Sequence, residues 1–284
     1  MRPLRVGGVP EHFNLPWHRL LESGALRPAG IDATWRDFAG GSAELAAAIN
    51  EDQIDLAMLL TEGAVAAIAR GADFRIVSVY TSSPLIWGIH VPASSDLRTV
   101  DQLRGRRYAI SRYGSGSHLM ACVHARSVDW PVDALDFTPV GNLDGAREAM
   151  AAGEVEVFFW EKFMTQPLVD NGEFRRVADY LTPWPSFVVA VRDGLVRDDP
   201  QRCAVALRAV YASAFELARC ADAASLIATR YDLVEDDARR WLSLTRWAQR
   251  IEIDKGMIES VARTLAEVGL ISAQQSAREM VATL

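Results

Sequence analysis

The chain has 284 residues, of which 50% are hydrophobic and 24% charged, a balance typical of one large or two ordinary globular domains. Its 30 Lys and Arg against 37 Asp and Glu give a net charge of -7, and no basic run accumulates that could neutralise a row of phosphates, so the composition argues against a nucleic-acid partner. The three cysteines, Cys122, Cys203 and Cys220, are too scattered for a disulfide framework or a zinc site, and we expect small buried residues.

The amino terminus and the longest uncharged stretch both bear on membranes. Residues 1–3 lead at once into an apolar segment, with no room for a signal peptide, so we expect a cytoplasmic protein, or a periplasmic one if a leader was removed. The uncharged stretch 76–95 contains Pro84, His90 and Pro92 among several hydroxyl residues, which a bilayer-spanning helix would not tolerate together. We therefore expect no direct insertion into a membrane.

Short apolar runs alternate with helical patterns over the first hundred residues, which predicts β-α-β units and a mainly parallel sheet. The apolar runs predict strands at 4–9, 31–38, 56–60, 74–80 and 85–91. The helical patterns lie at 17–22, 43–49 and 64–70. Ser42 is the expected N-cap of the second of these helices, and residues 61–63 are expected to cap the third.

The same alternation starts again after residue 95, which indicates a second α/β unit. Further strands are predicted at 107–111, 136–140, 155–160 and 187–192, with helices at 118–128 and 144–152. The last ninety residues are predicted to be helical, with Pro200 at a first-turn position and apolar residues spaced by three and four up to Leu217. More helices are expected near 223–231, 235–249 and 257–268.

Two α/β units, the second inserted into the first, predict two lobes joined by two crossover segments. We expect lobe 1 at 1–92 and 185–284, lobe 2 at 93–184, and crossovers near 91–95 and 182–186. Ligands of open α/β sheets sit beyond the carboxyl ends of the strands, so the functional residues should lie in a cleft between the lobes.

Several segments, taken in order, resemble the type II periplasmic-binding-protein fold. They are LRVGG at 4–8, GGS at 40–42, DLAML at 55–59, DLRTVDQLRGRR at 96–107 and GSGS at 114–117. The chain is similar to solute-binding proteins for sulfonates, nitrate and thiamine-pyrimidine precursors. The resemblance implies a two-lobed ligand trap with a helical C-terminal extension on lobe 1, a membrane permease as partner if it serves a transporter, and no cofactor. The cysteine cluster of the related pyrimidine synthases is missing here.

Two glycine- and serine-rich loops, 40–42 and 113–117, each lead directly into a predicted helix. Free backbone N–H groups and the positive end of the helix dipole at such a position favour a carboxylate, sulfonate or phosphate. The alternative is that Ser42, Ser115 and Ser117 are ordinary N-caps. Neither loop has the spacing of a nucleotide-binding motif, because no Gly-Lys-Ser/Thr follows.

Three acids, Glu11, Glu62 and Glu161, follow apolar strands and are expected to point into the same cleft. Together they would repel a fully anionic ligand, whereas an amine-bearing heterocycle, held by carboxylates at one end and by helix N-termini at the other, satisfies both groups. The alternative is that each Glu is compensated by a neighbouring Arg or by backbone amides. Aromatic residues at strand ends, including Phe38, Tyr113, Trp160 and Trp184, are expected to stack a planar ligand or to pack the lobes together.

His12 follows Glu11 and is expected to contact ligand or to act as an acid or base. No histidine pair has the spacing of metal ligands, and Cys122 lies inside a predicted helix, so we predict no metal site and no catalytic residue. The full set of expected ligand contacts is Glu11, His12, Asn14, Phe38, Ser42, Glu62, Ser82, Tyr113, Ser115, Ser117, Trp160, Glu161 and Trp184.

These observations lead to a first hypothesis and two alternatives. The first is a protein that closes around one small metabolite, planar and nitrogen-containing or bearing a sulfonate or carboxylate, and delivers or senses it. The second is a cytosolic enzyme on the same scaffold, similar to the menaquinone-pathway dehydratase or lyase or to the sulfinate desulfinase. The third is the effector domain of a transcription regulator, against which stands the lack of a helix-turn-helix before Leu4.

Overall fold

The computed structural model describes residues 2–272 and 276–284 and contains two β-sheets with helices packed around them. The strands are β1 (Leu4–Gly8), β2 (Ala33–Asp37), β3 (Leu56–Leu60), β4 (Phe74–Thr81), β5 (Ile86–Pro92), β6 (Arg107–Ile110), β7 (Asp136–Pro139), β8 (Val157–Glu161), β9 (Phe174–Leu181) and β10 (Phe187–Arg192).

The helices are α1 (Leu15–Ser23), α2 (Ser42–Asn50), α3 (Thr61–Ala69), α4 (Gly116–Ser127), α5 (Leu143–Ala151), α6 (Gln166–Asp170), α7 (Asp193–Asp198), α8 (Pro200–Arg219), α9 (Ala223–Tyr231), α10 (Glu235–Leu244), α11 (Lys255–Glu267) and α12 (Ala277–Met280). None of the helices in the described part of the chain is both long and apolar enough to cross a membrane.

The two sheets have the same arrangement of strands. The first has the order β2-β1-β3-β10-β4 and the second the order β7-β6-β8-β5-β9. Within each sheet, three consecutive strands of that order run parallel, and the fourth, β10 or β5, runs antiparallel to both of its neighbours. We call each sheet with its helices a lobe. The predicted two-lobed α/β fold is confirmed.

Burial explains which segments form the central strands. All five residues of β3 are buried, as its continuous apolar run predicts for a strand covered on both faces. The C-terminal helices extend the first lobe, because α8 packs on α1 and α11 packs on α3. Helix α8 begins with Pro200 after Asp199, whose side chain accepts a hydrogen bond from the Arg202 N–H.

The position of β5 corrects the predicted lobe boundary. We expected the fifth strand to belong to the first lobe, up to residue 92, but β5 pairs with β8 and β9 in the second sheet. The first crossover is therefore the segment 82–85 between β4 and β5, not 91–95, while the second joins β9 to β10 through 182–186. An isolated apolar run reveals that a strand exists but not which sheet it joins.

The two crossovers lie side by side and are hydrogen-bonded to each other. The Thr182 N–H donates to the Leu85 carbonyl over 3.0 Å, and the Ser186 N–H donates to the Ser83 carbonyl over 3.0 Å. The Leu85 N–H in turn donates to Thr182 Oγ1 over 2.9 Å. A paired, two-stranded connection of this kind concentrates bending between two lobes in a few residues.

Some elements differ from the sequence expectations. Strand β9 and helix α6 were not predicted: β9 lies at the edge of its sheet and mixes charged with apolar residues, so it lacks the apolar run of a central strand. Helix α10 ends at Leu244, not at 249. Cys122 and Cys203 are buried as expected, whereas Cys220 is half-buried.

Candidate functional site

A cavity of about 220 Å³ lies between the two lobes, at the carboxyl ends of the parallel strands. The first lobe contributes the segments after β1 and β2 and the end of β3, and the second lobe contributes the segments after β6 and β7 and the end of β8. The lining residues are Val9, Pro10, Glu11, Ala39, Gly40, Gly41, Ser42, Leu60, Leu85, Trp87, Ser111, Ser115, Gly116, Ser117, Asn142, Leu143, Asp144, Trp160, Glu161, Met164 and Phe187.

Three helices from both lobes begin at this cavity. They are α2 at Ser42, α4 at Gly116 and α5 at Leu143, and all three residues line it. The N–H groups of a helix's first turn have no partner within the helix, and the dipole gives this end a partial positive charge. Three such ends directed at one enclosed space favour a negatively charged ligand group.

Serine hydroxyls reinforce two of these helix ends. Ser42 Oγ accepts a hydrogen bond from the Leu60 N–H over 3.1 Å. The prediction that Ser42 caps its own helix is therefore wrong. The proton of its hydroxyl has no acceptor among the described residues. Ser117 Oγ accepts from the Ser111 N–H over 3.0 Å and lies 3.1 Å from Ser115 Oγ. Since one of these two hydroxyls donates to the other, one proton is left for a ligand.

Arg112 adds a positive charge at the rim of the cavity. Its guanidinium comes from the second lobe and lies against Gly40 of the first, where a Cβ would collide with it. Glu44 Oε2, which accepts a hydrogen bond from the Gly40 N–H over 2.7 Å, lies against the same point, so a carboxylate accompanies this charge. Gly116 shows the same close approach of the lobes, because a Cβ there would collide with the Leu60 side chain. Both glycines allow the lobes to meet around the cavity.

Three acids line the cavity, Glu11 from the first lobe and Asp144 and Glu161 from the second. Asp144 pairs with Arg147 over 3.2 Å, whereas Glu11 and Glu161 form no such pair within the described chain. Glu11 follows β1 and is half-buried in the cavity wall, where the partial loss of water around its carboxyl group raises its pKa to about 7. Glu161 ends β8, where burial and the charge of Glu11 raise its pKa well above the usual value. Its Oε2 accepts hydrogen bonds from the N–H groups of Phe163 and Met164 over 2.8 and 2.7 Å.

Apolar side chains form the rest of the wall. Trp87, Leu85 and Phe187 are nearly fully buried, while Trp160 is half-buried and stacks on Phe158 with 5.1 Å between ring centroids. Two indoles and several aliphatic groups suit the uncharged body of a ligand whose charged ends lie elsewhere.

Known proteins resemble this chain over its whole length in structure. The Candida albicans CA3427 gene product, described as having the generic periplasmic binding protein fold, superposes with a TM-score of 0.92 and 25% identity, covering 99% of this chain and 96% of that one. The alkanesulfonate-binding protein SsuA from Xanthomonas axonopodis pv. citri, bound to MOPS, superposes with a TM-score of 0.85 and 21% identity, covering 99% and 98%. This chain has the periplasmic-binding-protein fold.

Sequence comparisons agree with this binding-protein fold. A family model for Ca3427-like PBP matches residues 87–180, which form most of the second lobe. An aliphatic sulfonates-binding protein of Escherichia coli (strain K12) is 28% identical over 156 residues, which is 55% of this chain and 47% of that protein. The aligned part thus spans about half the length of this relative.

Six of the predicted contacts line the cavity of this binding-protein fold. They are Glu11, Ser42, Ser115, Ser117, Trp160 and Glu161. Three others lie in the first lobe's interior. His12 is fully buried behind Glu11, and Asn14 holds the turn after β1 by donating to the Val9 carbonyl over 2.8 Å. Phe38 is buried and packs on Gly7.

The remaining four lie near the crossovers or on the surface. Glu62 is fully buried, and its Oε2 accepts a hydrogen bond over 2.8 Å from Nε1 of Trp184, also buried. The Ser82 side chain is exposed and donates to the Arg246 carbonyl over 3.0 Å. Tyr113 is 63% exposed, so its ring does not form a cavity wall. Residues just past a strand end can thus turn towards the core, the hinge or solvent.

The helix at α5 was predicted, but its N-terminus was not expected to lie at the cavity. Asn142 lines the cavity, and its side chain accepts a hydrogen bond from the Gly145 N–H over 3.0 Å as the N-cap. Asn before a helical pattern is a standard N-cap signal, so this end was detectable. Trp87 was missed because it falls within a predicted strand, and Met164 because it lies in no predicted element.

No group of three or more His, Cys, Asp or Glu within residues 2–272 and 276–284 is arranged to hold a metal ion. Cys122 is buried, and burial raises the pKa of its thiol to about 12. His118 lies 4.0 Å from its Sγ, and burial lowers the pKa of this imidazole to about 4. This pair therefore does not form the thiolate that nucleophilic chemistry requires.

Proposed function

We propose that this chain is a substrate-binding protein that closes its lobes around one small molecule carrying a sulfonate or carboxylate group. The carrying observation is the meeting of three helix N-termini, one from the first lobe and two from the second, at a single cavity. An anion there receives hydrogen bonds from both lobes at once, so its binding favours the closed form.

The cavity limits the ligand to a small metabolite. Its volume of about 220 Å³ corresponds to about seven water molecules at 30 Å³ each, and it lies below the range of drug-sized pockets. The apolar wall around Trp87 and Trp160 leaves space for a short hydrocarbon or ring between polar ends. We take a small organosulfonate or carboxylate as the ligand class.

The names of similar proteins suggest a cellular role for this chain. One is named as an aliphatic sulfonates-binding protein, and solved structures of this fold include a ligand-binding component of an ABC-type import system and a periplasmic aliphatic sulphonate binding protein. We propose the same role here: the chain binds its ligand in the periplasm and presents it to a membrane permease. The hinge would be the paired crossovers 82–85 and 182–186.

The first test is calorimetric titration with propane-1-sulfonate, butanoate and the uncharged analogue dimethyl sulfone. Both anions are expected to bind, and the uncharged compound is not. Ser42→Ala and Ser115→Ala each remove one hydroxyl, from opposite lobes, and should weaken anion binding about tenfold or more, since a hydrogen bond to a charged group contributes about 1.5 kcal/mol or more. Mass spectrometry of the recovered ligand separates a binding protein, which returns it unchanged, from an enzyme.

Ser127→Ala is the matched control. This serine lies at the opposite end of α4, where its hydroxyl donates to the His124 carbonyl over 2.7 Å. Its loss should leave affinity unchanged. Ser42→Ala also removes the acceptor of the Leu60 N–H, so urea denaturation of each variant is used to check that a loss of affinity is not a loss of folding stability. Equal binding of charged and uncharged compounds, or unchanged affinity in both cavity variants, would refute the proposal.

A further inference from the structure

The carboxyl groups of Glu11 and Glu161 form a second polar region in the cavity, and the protein supplies no cation to it. Neither carboxyl forms an ion pair with a Lys or Arg of the described chain. The imidazole of His12 is close to the pair, with its Nε2 3.7 Å from Glu161 Oε2. A buried carboxylate without a cation is unfavourable, so two of them facing one cavity require an explanation.

His12, although close to Glu161, does not supply the missing positive charge. Its imidazole is fully buried and stacks on Trp241 with 4.1 Å between ring centroids. Neither of its ring nitrogens has a hydrogen-bond partner within the described chain. Burial lowers the pKa of His12 to about 3, so the ring is neutral and cannot compensate the acids.

The cavity wall carries another donor without a partner. The Trp87 side chain lines the cavity and is 4% exposed, and its Nε1 donates to no atom of the described residues. Glu161 Oε2 already accepts two backbone hydrogen bonds, which fix its orientation, whereas its Oε1 accepts none from the described residues. Glu161 Oε1 is therefore the oxygen of this carboxyl group that is available to a ligand in the cavity.

We propose that the ligand is a small zwitterion whose protonated amine lies between Glu11 and Glu161, while its sulfonate or carboxylate lies at the helix N-termini. This inference rests on the proposed function and specifies the ligand class. The two ends of the ligand then match the two charged regions of the cavity, and each lobe contributes to both. An ammonium group supplies the positive charge that the surrounding side chains do not.

The groups around the acid pair set its protonation in the empty protein. Burial raises the pKa of Glu11 to about 7, and burial together with Glu11 raises that of Glu161. Tyr231 and His12 face the pair from the first lobe, and Lys162, which is 2.5 Å from Asp179, is the nearest cation of the second. The empty pair therefore retains a proton near neutral pH, and an ammonium group would displace it.

The test compares 3-aminopropane-1-sulfonate with propane-1-sulfonate, which differ only in the amine. At pH 7 the aminosulfonate should bind at least about tenfold more tightly, as expected for a buried charge-assisted hydrogen bond. Calorimetry in buffers of different ionisation enthalpy should show net proton release for the aminosulfonate and none for propane-1-sulfonate. Glu11→Gln and Glu161→Gln should each reduce the tenfold preference and the proton release.

Glu148→Gln is the control, because it removes an acid from the exposed face of α5, outside the cavity lining. If Glu161→Gln does not fold, Glu11→Gln still decides. Equal affinity for the two sulfonates, or a preference for the aminosulfonate that Glu11→Gln and Glu161→Gln leave unchanged, overturns the zwitterion and leaves the anion-binding function standing. Failure of both sulfonates and of butanoate to bind overturns the function itself.

Discussion

Buried acids lie at both ends of the first sheet, but in the described part of the chain only the acid at the amino end is paired with arginines. At the amino end, Asp55 precedes β3 and contacts the guanidinium groups of Arg2, Arg5 and Arg192 at 3.0, 2.8 and 3.2 Å. At the carboxyl end, Glu62 is fully buried and bonds to Trp184, with no Lys or Arg of the described residues paired to it.

The pKa directions follow from these surroundings. Burial alone would raise the pKa of Asp55, but the hydrogen bonds and charge of Arg5 outweigh this and lower it. Burial raises the pKa of Glu62 to about 7, against which the Trp184 hydrogen bond acts only partly. The amino end is thus built for stability, while the cleft end keeps acids in an unfavourable state, as functional sites often do.

The largest expected effect is from Asp55→Asn, which leaves three guanidinium groups without their shared buried partner. We expect a loss of about 3 kcal/mol in the free energy of unfolding, measured with urea at pH 7. Because the pKa of Asp55 is lowered in the folded state, its contribution is present above the unfolded value of about 4 and is lost as the pH falls through the lowered value. The difference between variant and parent should therefore shrink in acid.

Asp52→Asn is a matched control for this prediction. Asp52 contacts the same arginines, but its side chain is 55% exposed. Its φ is 53°, a conformation that Asn also tolerates. We expect a loss below about 1 kcal/mol. Equal losses at the two positions would mean that burial does not distinguish these acids.

Glu62→Gln should have the opposite sign. The folded pKa of about 7 exceeds the usual 4.5, so the stability that Glu62 contributes is full below about pH 4.5 and is lost as the pH rises through 7. Gln mimics the protonated acid and retains an acceptor for Trp184. At pH 8 the variant should be more stable than the parent by about 1 kcal/mol or more, and the difference should be smallest at pH 5.

Urea midpoints of parent and variant at pH 5, 6, 7 and 8 measure this trend directly. Glu216→Gln, on the exposed face of α8, should show a difference that does not change with pH. A Glu62→Gln variant that is less stable than the parent at pH 8 would show that the buried carboxylate is compensated after all.

The sequence predicted the two-lobed fold because its strands are continuous apolar runs and its helices have clear caps. It also predicted that Ser115, Ser117 and Glu161 follow strand ends, and the cavity lies at those ends. Such local patterns report how each segment folds and which end of a strand faces the cleft. They are sufficient for the general position of the site.

The sequence did not predict which way each side chain of the site points. Glu11 and His12 are neighbours, yet one lines the cavity and the other is buried against Trp241, about 230 residues later in the chain. Likewise, Arg112 meets Gly40 only when the lobes come together. Whether a side chain faces ligand, core or hinge depends on contacts between distant segments, which no local pattern contains.

The smallest effect is expected where an acid is paired but exposed. Arg126 on α4 contacts Glu267 on α11 over 2.5 Å, with side chains 48% and 40% exposed, and so joins the second lobe to the first lobe's C-terminal helices. Arg126→Ala should lower the free energy of unfolding by less than about 1 kcal/mol, because water screens such a pair. In 0.5 M salt the difference should disappear, since the Debye length falls to a few ångströms.

Urea melts of the parent and Arg126→Ala at low and high salt check this prediction. A loss above about 2 kcal/mol, or one that salt leaves unchanged, would be outside the range of an exposed pair. It would mean that the contact between α4 and α11 behaves like the buried network at Asp55. Burial would then not be what decides how much an ion-paired acid contributes to the free energy of unfolding in this protein.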